Sequence, residues 1–216
     1  YLGRALQTVN PPNASVGNSQ TAPTIITGQT AETSIATDDT ILIHDTSASA
    51  LRKMTRANFV SGVGGAMTPA FHAYLSANQT VSDATDTKCQ FNTEVLDTDN
   101  CYDNSTNYRF TPTTAGKYFV YSQIACNANG ANNFLLGTTT IKKNGSAIIY
   151  SQFDQRTTAN GYSNTVQAAG IVDMNGSTDY LESFGYIDDS DTGSSPRLSG
   201  NSTAQYSNFG AYKIIE

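Results

Sequence analysis

The sequence predicts an all-β sandwich over the last two thirds of the chain, from Pro69 to Glu216. Three observations predict it. Short runs alternate apolar and polar residues, as in Gly116-Lys-Tyr-Phe-Val-Tyr-Ser-Gln-Ile-Ala-Cys126, a pattern that buries one face of a strand and leaves the other wet. Clusters of Asn, Gly, Asp and Ser, the residues that form turns, separate these runs. Stretches with the periodicity of a helix are few.

Composition bounds what such a protein does. Charged residues make up only 14% of the 216-residue chain, so Thr, Ser, Asn and Gln must carry its solubility. Twelve basic residues against 18 acidic ones give a net charge of -6, which argues against nucleic acid as a partner. Arg52-Lys53 with Arg56, and Lys142-Lys143, are too small as basic clusters to track a phosphate backbone. No run approaches the roughly 18 apolar residues needed to insert into a bilayer. The three cysteines, Cys89, Cys101 and Cys126, are an odd number, which argues against a complete disulfide framework. A Cys89–Cys101 bridge stays open at this level, and thiols kept in a reducing compartment fit equally well.

Residues 1–36 are expected to form an extended arm ordered by a partner. Asn10-Pro-Pro-Asn-Ala-Ser-Val-Gly and Thr21-Ala-Pro-Thr are rich in breakers, and only Ile25-Ile26 suggests a short strand. A small module follows over residues 37–65. Asp39 to His44 is a strand, Asp45-Thr-Ser-Ala-Ser49 a turn, and Ala50 to Met54 the return strand. Thr55 is placed to cap a helix from Arg56 to Ser61, and Gly62, Gly64 and Gly65 end it as a hinge.

The large domain, residues 66–216, opens with Pro69 to Leu75. Ala70, His72 and Tyr74 share one face of this strand, and Phe71, Ala73 and Leu75 the other. Further strands are expected at Lys88–Asn92, Tyr108–Thr111, Gly116–Cys126 and Asn133–Lys143. Asn144-Gly145 is a two-residue hairpin turn that favours positive φ at both positions. The remaining strands are Ala147–Ser151, Thr165–Asp173, Tyr180–Tyr186 and Ser207–Ile215.

Several of these runs resemble the C1q/TNF-like jelly-roll domain. Ala70-Phe-His-Ala73 is similar to its opening strand, and Phe110-Thr-Pro-Thr-Thr-Ala-Gly116-Lys-Tyr118-Phe119 to its central Phe-x-x-Pro-x-x-Gly-x-Tyr-x-Phe signature. Tyr102-Asp103, Lys143-Asn-Gly145 and Asp173-Met-Asn-Gly-Ser-Thr-Asp179-Tyr-Leu-Glu182 follow its pattern in order, the last with two extra residues before Asp179. Phe209-Gly-Ala-Tyr-Lys-Ile resembles the closing strand with its glycine one place early. The resemblance implies a jelly roll that assembles as a homotrimer. Phe71, Phe110, Tyr118, Phe119, Tyr121, Phe209 and Tyr212 are then candidates for the core or the subunit interface. Tyr118 and Val120 share one face of their strand, Phe119 and Tyr121 the other, so one pair fills the core and the other is left for the interface.

The front module resembles a hairpin-plus-helix segment of bacteriophage tail-fibre and other virion proteins, from Asp38 to Phe59. No collagen-like Gly-X-Y run precedes the head. Together these imply a virion protein, expected to be a trimeric tail fibre or appendage. Its N-terminal arm would engage other virion proteins and its head a host-surface glycan or protein. A capsid decoration protein at a three-fold site and a secreted recognition module are the alternatives. Loops 76–86, 127–133, 155–164 and 188–201 are the expected display surface, with Tyr162 and Asn164 as ligand candidates.

No catalytic residue is expected. His44 and His72 have no nucleophile at base spacing, and no Gly-x-Ser-x-Gly, phosphate loop or His-Glu-x-x-His occurs. Asp188, Asp189 and Asp191 offer oxygens to Ca2+ but lack the glycine and terminal glutamate of an EF-hand, so a solvated loop is expected there. Asp97, Asp99 and Asp103 are read the same way. The sequons at Asn13, Asn78, Asn104, Asn144, Asn175 and Asn201 are expected by chance in so Asn-, Ser- and Thr-rich a chain.

Overall fold

The computed structural model describes residues 23–63, 67–129, 134–156, 161–190 and 195–214. The chain divides into two compact units, Tyr1–Val63 and Gly64–Glu216.

In the first unit, Ile25-Ile26 is not a strand. It lies in the one-turn helix α1, Thr24–Thr27, with Pro23 at its N-cap and Gly28 closing it. Isoleucine favours strands only where a partner strand pairs with it, whereas a proline at the start and a glycine at the end suit a helical turn without one. The described part of the arm is therefore not uniformly extended, and residues 1–22 lie outside the described residues. Strands β1, Thr40–Asp45, and β2, Ala50–Thr55, pair as an antiparallel hairpin. Asp45 stabilises its turn by accepting from Ser47 Oγ and the Ala48 N–H, at 2.6 and 3.1 Å. Those bonds hold its carboxyl below the usual range. Helix α2, Arg56–Val63, follows, and Thr55 Oγ1 accepts from the Asn58 N–H at 3.3 Å as a cap should. The helix runs through Gly62 rather than stopping at Ser61. A glycine costs a helix only about 1 kcal/mol against alanine and does not end it alone. Gly64 and Gly65 lie outside the described residues.

The second unit is an antiparallel jelly-roll sandwich. Its strands in chain order are β3 Ala70–Tyr74, β4 Gln79–Thr80, β5 Thr87–Lys88, β6 Thr93–Asp97, β7 Tyr102–Asp103, β8 Arg109–Phe110, β9 Gly116–Asn127, β10 Phe134–Lys143, β11 Ser146–Asp154, β12 Ser163–Met174, β13 Leu181–Asp189, β14 Arg197–Leu198 and β15 Asn208–Lys213. One sheet runs β12–β9–β15–β3–β6, with the β14–β4 pair continuing along β9 beyond the end of β15. The other runs β11–β10–β13–β8–β7, with β5 beside β13 beyond β8.

The alternation of β9 sends Tyr118, Val120, Ile124 and Cys126 into the space between the sheets, all fully buried. Phe71 and Phe209 from the same sheet meet Tyr102 and Phe110 from the other. The Phe71 ring stacks on Tyr102 at 4.6 Å and Phe110 at 4.5 Å, and meets Phe209 edge-on at 5.0 Å. Buried hydroxyls also join the sheets: Ser122 Oγ lies 2.7 Å from Ser183 Oγ and accepts from Thr139 Oγ1 at 3.1 Å. Each group is satisfied, as burial requires.

The hairpin turn between β10 and β11 has φ of 51° at Asn144 and 81° at Gly145. The Asn144 side chain accepts from the Tyr180 N–H at 2.9 Å and donates to Asp179 at 2.8 Å, and Lys143 pairs with Asp179 at 2.8 Å. One asparagine thus supplies both the left-handed turn and the tie to β13. All three cysteines are free and buried, so the Cys89–Cys101 bridge does not form. Burial pushes the Cys126 thiol up to about 12, out of the reactive range.

Candidate functional site

The outward face of the β12–β9–β15–β3–β6 sheet combines aromatic rings with a near absence of charge. Strand register sets its rows. The first is Ile171–Phe119–Tyr212–Ala70, and the second Ala169–Tyr121–Gly210–His72–Leu96. The third, Gln167–Gln123–Asn208–Tyr74, is polar but uncharged. Beyond the first row the Lys117–Asp173 ion pair, 3.0 Å across, closes that end. Ile171 is 63% exposed and Leu96 47%.

The rings form one connected surface. Phe119 lies 5.5 Å from Tyr212 and 6.2 Å from Tyr121. The Tyr121 ring crosses Gly210, where a Cβ would meet its oxygen at 2.3 Å and the Phe71 carbonyl oxygen at 2.9 Å. Only a residue without a side chain lets the ring lie flat there, which explains the glycine one place early in the closing strand. The ring then reaches His72, whose Nδ1 is 2.8 Å from the Tyr121 hydroxyl and whose Nε2 is 2.6 Å from Gln205 Oε1. With the Gln205 oxygen as acceptor, Nε2 carries the proton and Tyr121 donates to Nδ1. Burial, then the neighbouring Tyr212, raises the Tyr121 phenol. Gly210→Ala is expected to displace the ring and cost about 1–3 kcal/mol, as overpacking does. A urea titration with the midpoint unchanged would show that the ring does not depend on the glycine.

The seven aromatic candidates divide between the two faces. Phe71, Phe110, Tyr118 and Phe209 are in the core, while Phe119, Tyr121 and Tyr212 are on the outward face. Reading the sequence missed Ile171, Ala169 and Leu96 as their companions. The alternation of β12 was visible, but its register against β9 was not.

The loop candidates lie elsewhere. Asn164 is not a loop residue: it lies in β12, paired with Cys126 of β9, because β9 extends to Asn127 and pairs with it there, and it lines a cavity of about 440 Å3 at the β14 end of the same sheet, with Asn78, Asn127, Arg197, Asn201 and Tyr206. Tyr162 is beside it, its hydroxyl accepting from Arg197 Nη2 at 3.4 Å. Residues 130–133, 157–160 and 191–194 of the expected display loops lie outside the described residues.

Asp188 and Asp189 are successive strand residues, so their side chains leave opposite faces of β13. Burial and the nearby Asp83 raise the Asp188 carboxyl, and the Asp189 N–H donates to Asp83 Oδ1 at 2.9 Å. Asp191 lies outside the described residues. Among the described residues no group of three acidic, histidine or cysteine side chains has a metal-holding arrangement. Asp97 accepts the N–H groups of Cys101 and Tyr102 at 3.0 and 2.9 Å. Asp103 caps its turn by accepting from the Ser105, Thr106 and Asn107 N–H groups, which with the Asn107 side chain hold its carboxyl well below the usual range. These two carboxylates shape loops. Among the described residues no helix is long and apolar enough to cross a membrane.

No family model matches the chain, and no curated protein matches it. Among solved structures it is similar to murine APRIL at pH 8.0, with 13% identity and a TM-score of 0.47 over 67% of this chain and 98% of that one. It is also similar to Eiger TNF from S. frugiperda, with 13% identity and a TM-score of 0.49 over 67% of this chain and 91% of that one.

Proposed function

We propose that the chain is a structural protein of a bacteriophage virion, a homotrimeric tail fibre or appendage whose sandwich is a binding head. The observation that carries the reading is the outward face of the β12–β9–β15–β3–β6 sheet. Its first two rows present Phe119, Tyr121, Tyr212, Ile171 and Leu96, with no carboxylate or ammonium group among them. A monomer gains nothing by leaving such a patch in water, and patches of this kind mark association surfaces. The occupant that fits is a second copy of the same face, because cyclic assemblies reuse one surface in every subunit. Three copies is the number that the resemblance of the strand motifs implies. The hairpin-helix module supports the virion reading, since its sequence resembles segments of tail-fibre proteins. The head acts by binding rather than by chemistry, and its partners are host-surface molecules and, through the N-terminal unit, other virion proteins.

Light scattering on the purified full chain tests the assembly. The expected mass is three times that of one chain across micromolar concentrations, and a stable monomer sinks the interface. Deleting residues 1–63 tests the attachment. The truncated protein is expected to keep that assembly and to disappear from purified particles. Its continued incorporation would place the attachment in the sandwich.

A further inference from the structure

We propose that the cavity at the β14 end of the sheet binds a sugar bearing a carboxylate, and that Arg197 takes the carboxylate. Arg197 sits in β14, paired to Asn127 of β9 on one side and Thr80 of β4 on the other. Its guanidinium has no carboxylate partner among the described residues, and its side-chain contact is the 3.4 Å bond to the Tyr162 hydroxyl. Its Nε is buried with no hydrogen-bond partner. A buried, unpaired guanidinium nitrogen is unfavourable, and the same Arg197 side chain belongs to the cavity lining, where an anion would offset its charge.

The cavity around it is built of donors. Its described lining includes Asn78, Asn127, Asn164, Arg197, Asn201 and Tyr206, and among the described lining residues none is Asp or Glu. Three of the asparagines have their orientation set by backbone N–H groups. Asn78 Oδ1 accepts from Gly200 at 3.0 Å, Asn127 Oδ1 from Asn129 at 2.7 Å, and Asn201 Oδ1 from Thr203 and Ala204 at 2.8 and 2.9 Å. With the oxygen ends occupied, the N–H2 ends are left as donors, and none has a protein partner among the described residues. In a chain of net charge -6, this cavity is cationic and donor-rich.

One cation among several neutral donors and hydroxyls selects a ligand with one negative group and many neutral oxygens. An acidic pyranose has that chemistry, and its carboxylate matches the guanidinium fork. The volume of about 440 Å3 suits a ligand of that size. Tyr206 in the lining and Tyr162 beside Arg197 are each about half exposed and offer ring faces to the sugar C–H groups. The inference rests on the reading of the sandwich as a binding head and is independent of its trimeric state.

Calorimetry or ligand-observed NMR on the full chain tests it. The probes are glucuronic acid, N-acetylneuraminic acid, glucose and inorganic sulfate. At least one acidic sugar is expected to bind about tenfold or more tightly than glucose and sulfate. Arg197→Gln is expected to lose about tenfold or more of that affinity, and Arg197→Lys to lose part of it, because the charge remains without the fork. Circular dichroism and mass on the same samples separate a binding defect from misfolding. The proposal is overturned by equal binding of glucose, by sulfate binding as tightly as the sugar, by an unaffected Arg197→Gln, or by a folded wild-type chain that binds neither acidic sugar. A trimer that binds neither overturns this inference alone. A monomer that binds one overturns only the assembly.

Discussion

Phe71→Ala is expected to lower the stability of the sandwich by about 3–5 kcal/mol, the range for truncating a buried phenylalanine. Phe71 is 2% exposed and lies where the sheets meet. It stacks on Tyr102 and Phe110 of the opposite sheet and touches Phe209 of its own. Removing the ring costs its burial, leaves a cavity bounded by three rigid aromatic rings, and removes contacts worth about 0.5–1.5 kcal/mol each beyond burial. Rigid walls do not collapse into the gap, so the upper half of the range is expected. A typical domain has about 5–15 kcal/mol in total, so the variant should fold but melt early. Phe71→Leu keeps most of the volume and is expected to lose about half as much. Urea midpoints at one fixed protomer concentration check both, since assembly contributes to apparent stability. A loss below about 1 kcal/mol for the alanine variant would show that the two sheets are joined elsewhere.

The position of Phe71 is legible in the sequence. Alternation placed Phe71, Ala73 and Leu75 on one face of their strand, and all three are buried. The same logic separated Tyr118 and Val120 from Phe119 and Tyr121. Asn144-Gly145 was legible because its chemistry demands positive φ, which both residues adopt. Legibility failed where structure depends on pairing between distant segments. The two-residue strands β4, β7 and β14 are too short to show a period, whereas β8 lies inside the expected run Tyr108–Thr111 and β5 meets the expected run Lys88–Asn92 only at Lys88. β6 was missed because Val95 and Leu96 are adjacent residues that are both exposed, so no alternation marks Thr93–Asp97 as a strand. The cavity at the β14 end is half legible in the sequence. The sequence points to Tyr162 and Asn164, placing Asn164 in a loop rather than in β12, but not to Arg197, which gives the cavity its charge. Asn78, Asn127, Asn164 and Arg197 are far apart along the chain. They converge because β14 pairs with β4 and β9, and β9 pairs with β12. Register is a property of the folded sheet and leaves no local mark in any one segment.

Phe119→Glu is expected to convert the proposed trimer entirely to monomers while leaving the sandwich folded. Phe119 projects from the first half of the long strand β9, away from the core, between Ile171 on β12 and Tyr212 on β15. Its removal opens no cavity between the sheets, so circular dichroism and the urea midpoint of the isolated subunit should hardly change. In the assembly the new carboxylate would be pressed against copies of a face whose first two rows carry no charge of either sign. The nearest cation on the face is Lys117, already paired to Asp173 at 3.0 Å. Each buried carboxylate without a partner costs several kcal/mol, and three-fold symmetry repeats that cost in every subunit with like charges facing one another. Tyr150→Glu is the control. Tyr150 is 56% exposed on β11 of the opposite sheet, so the same charge change there should leave the trimeric mass unaltered. If Phe119→Glu stays trimeric at micromolar concentration, the aromatic face is not where the subunits meet. If Tyr150→Glu dissociates instead, the interface belongs to the other sheet.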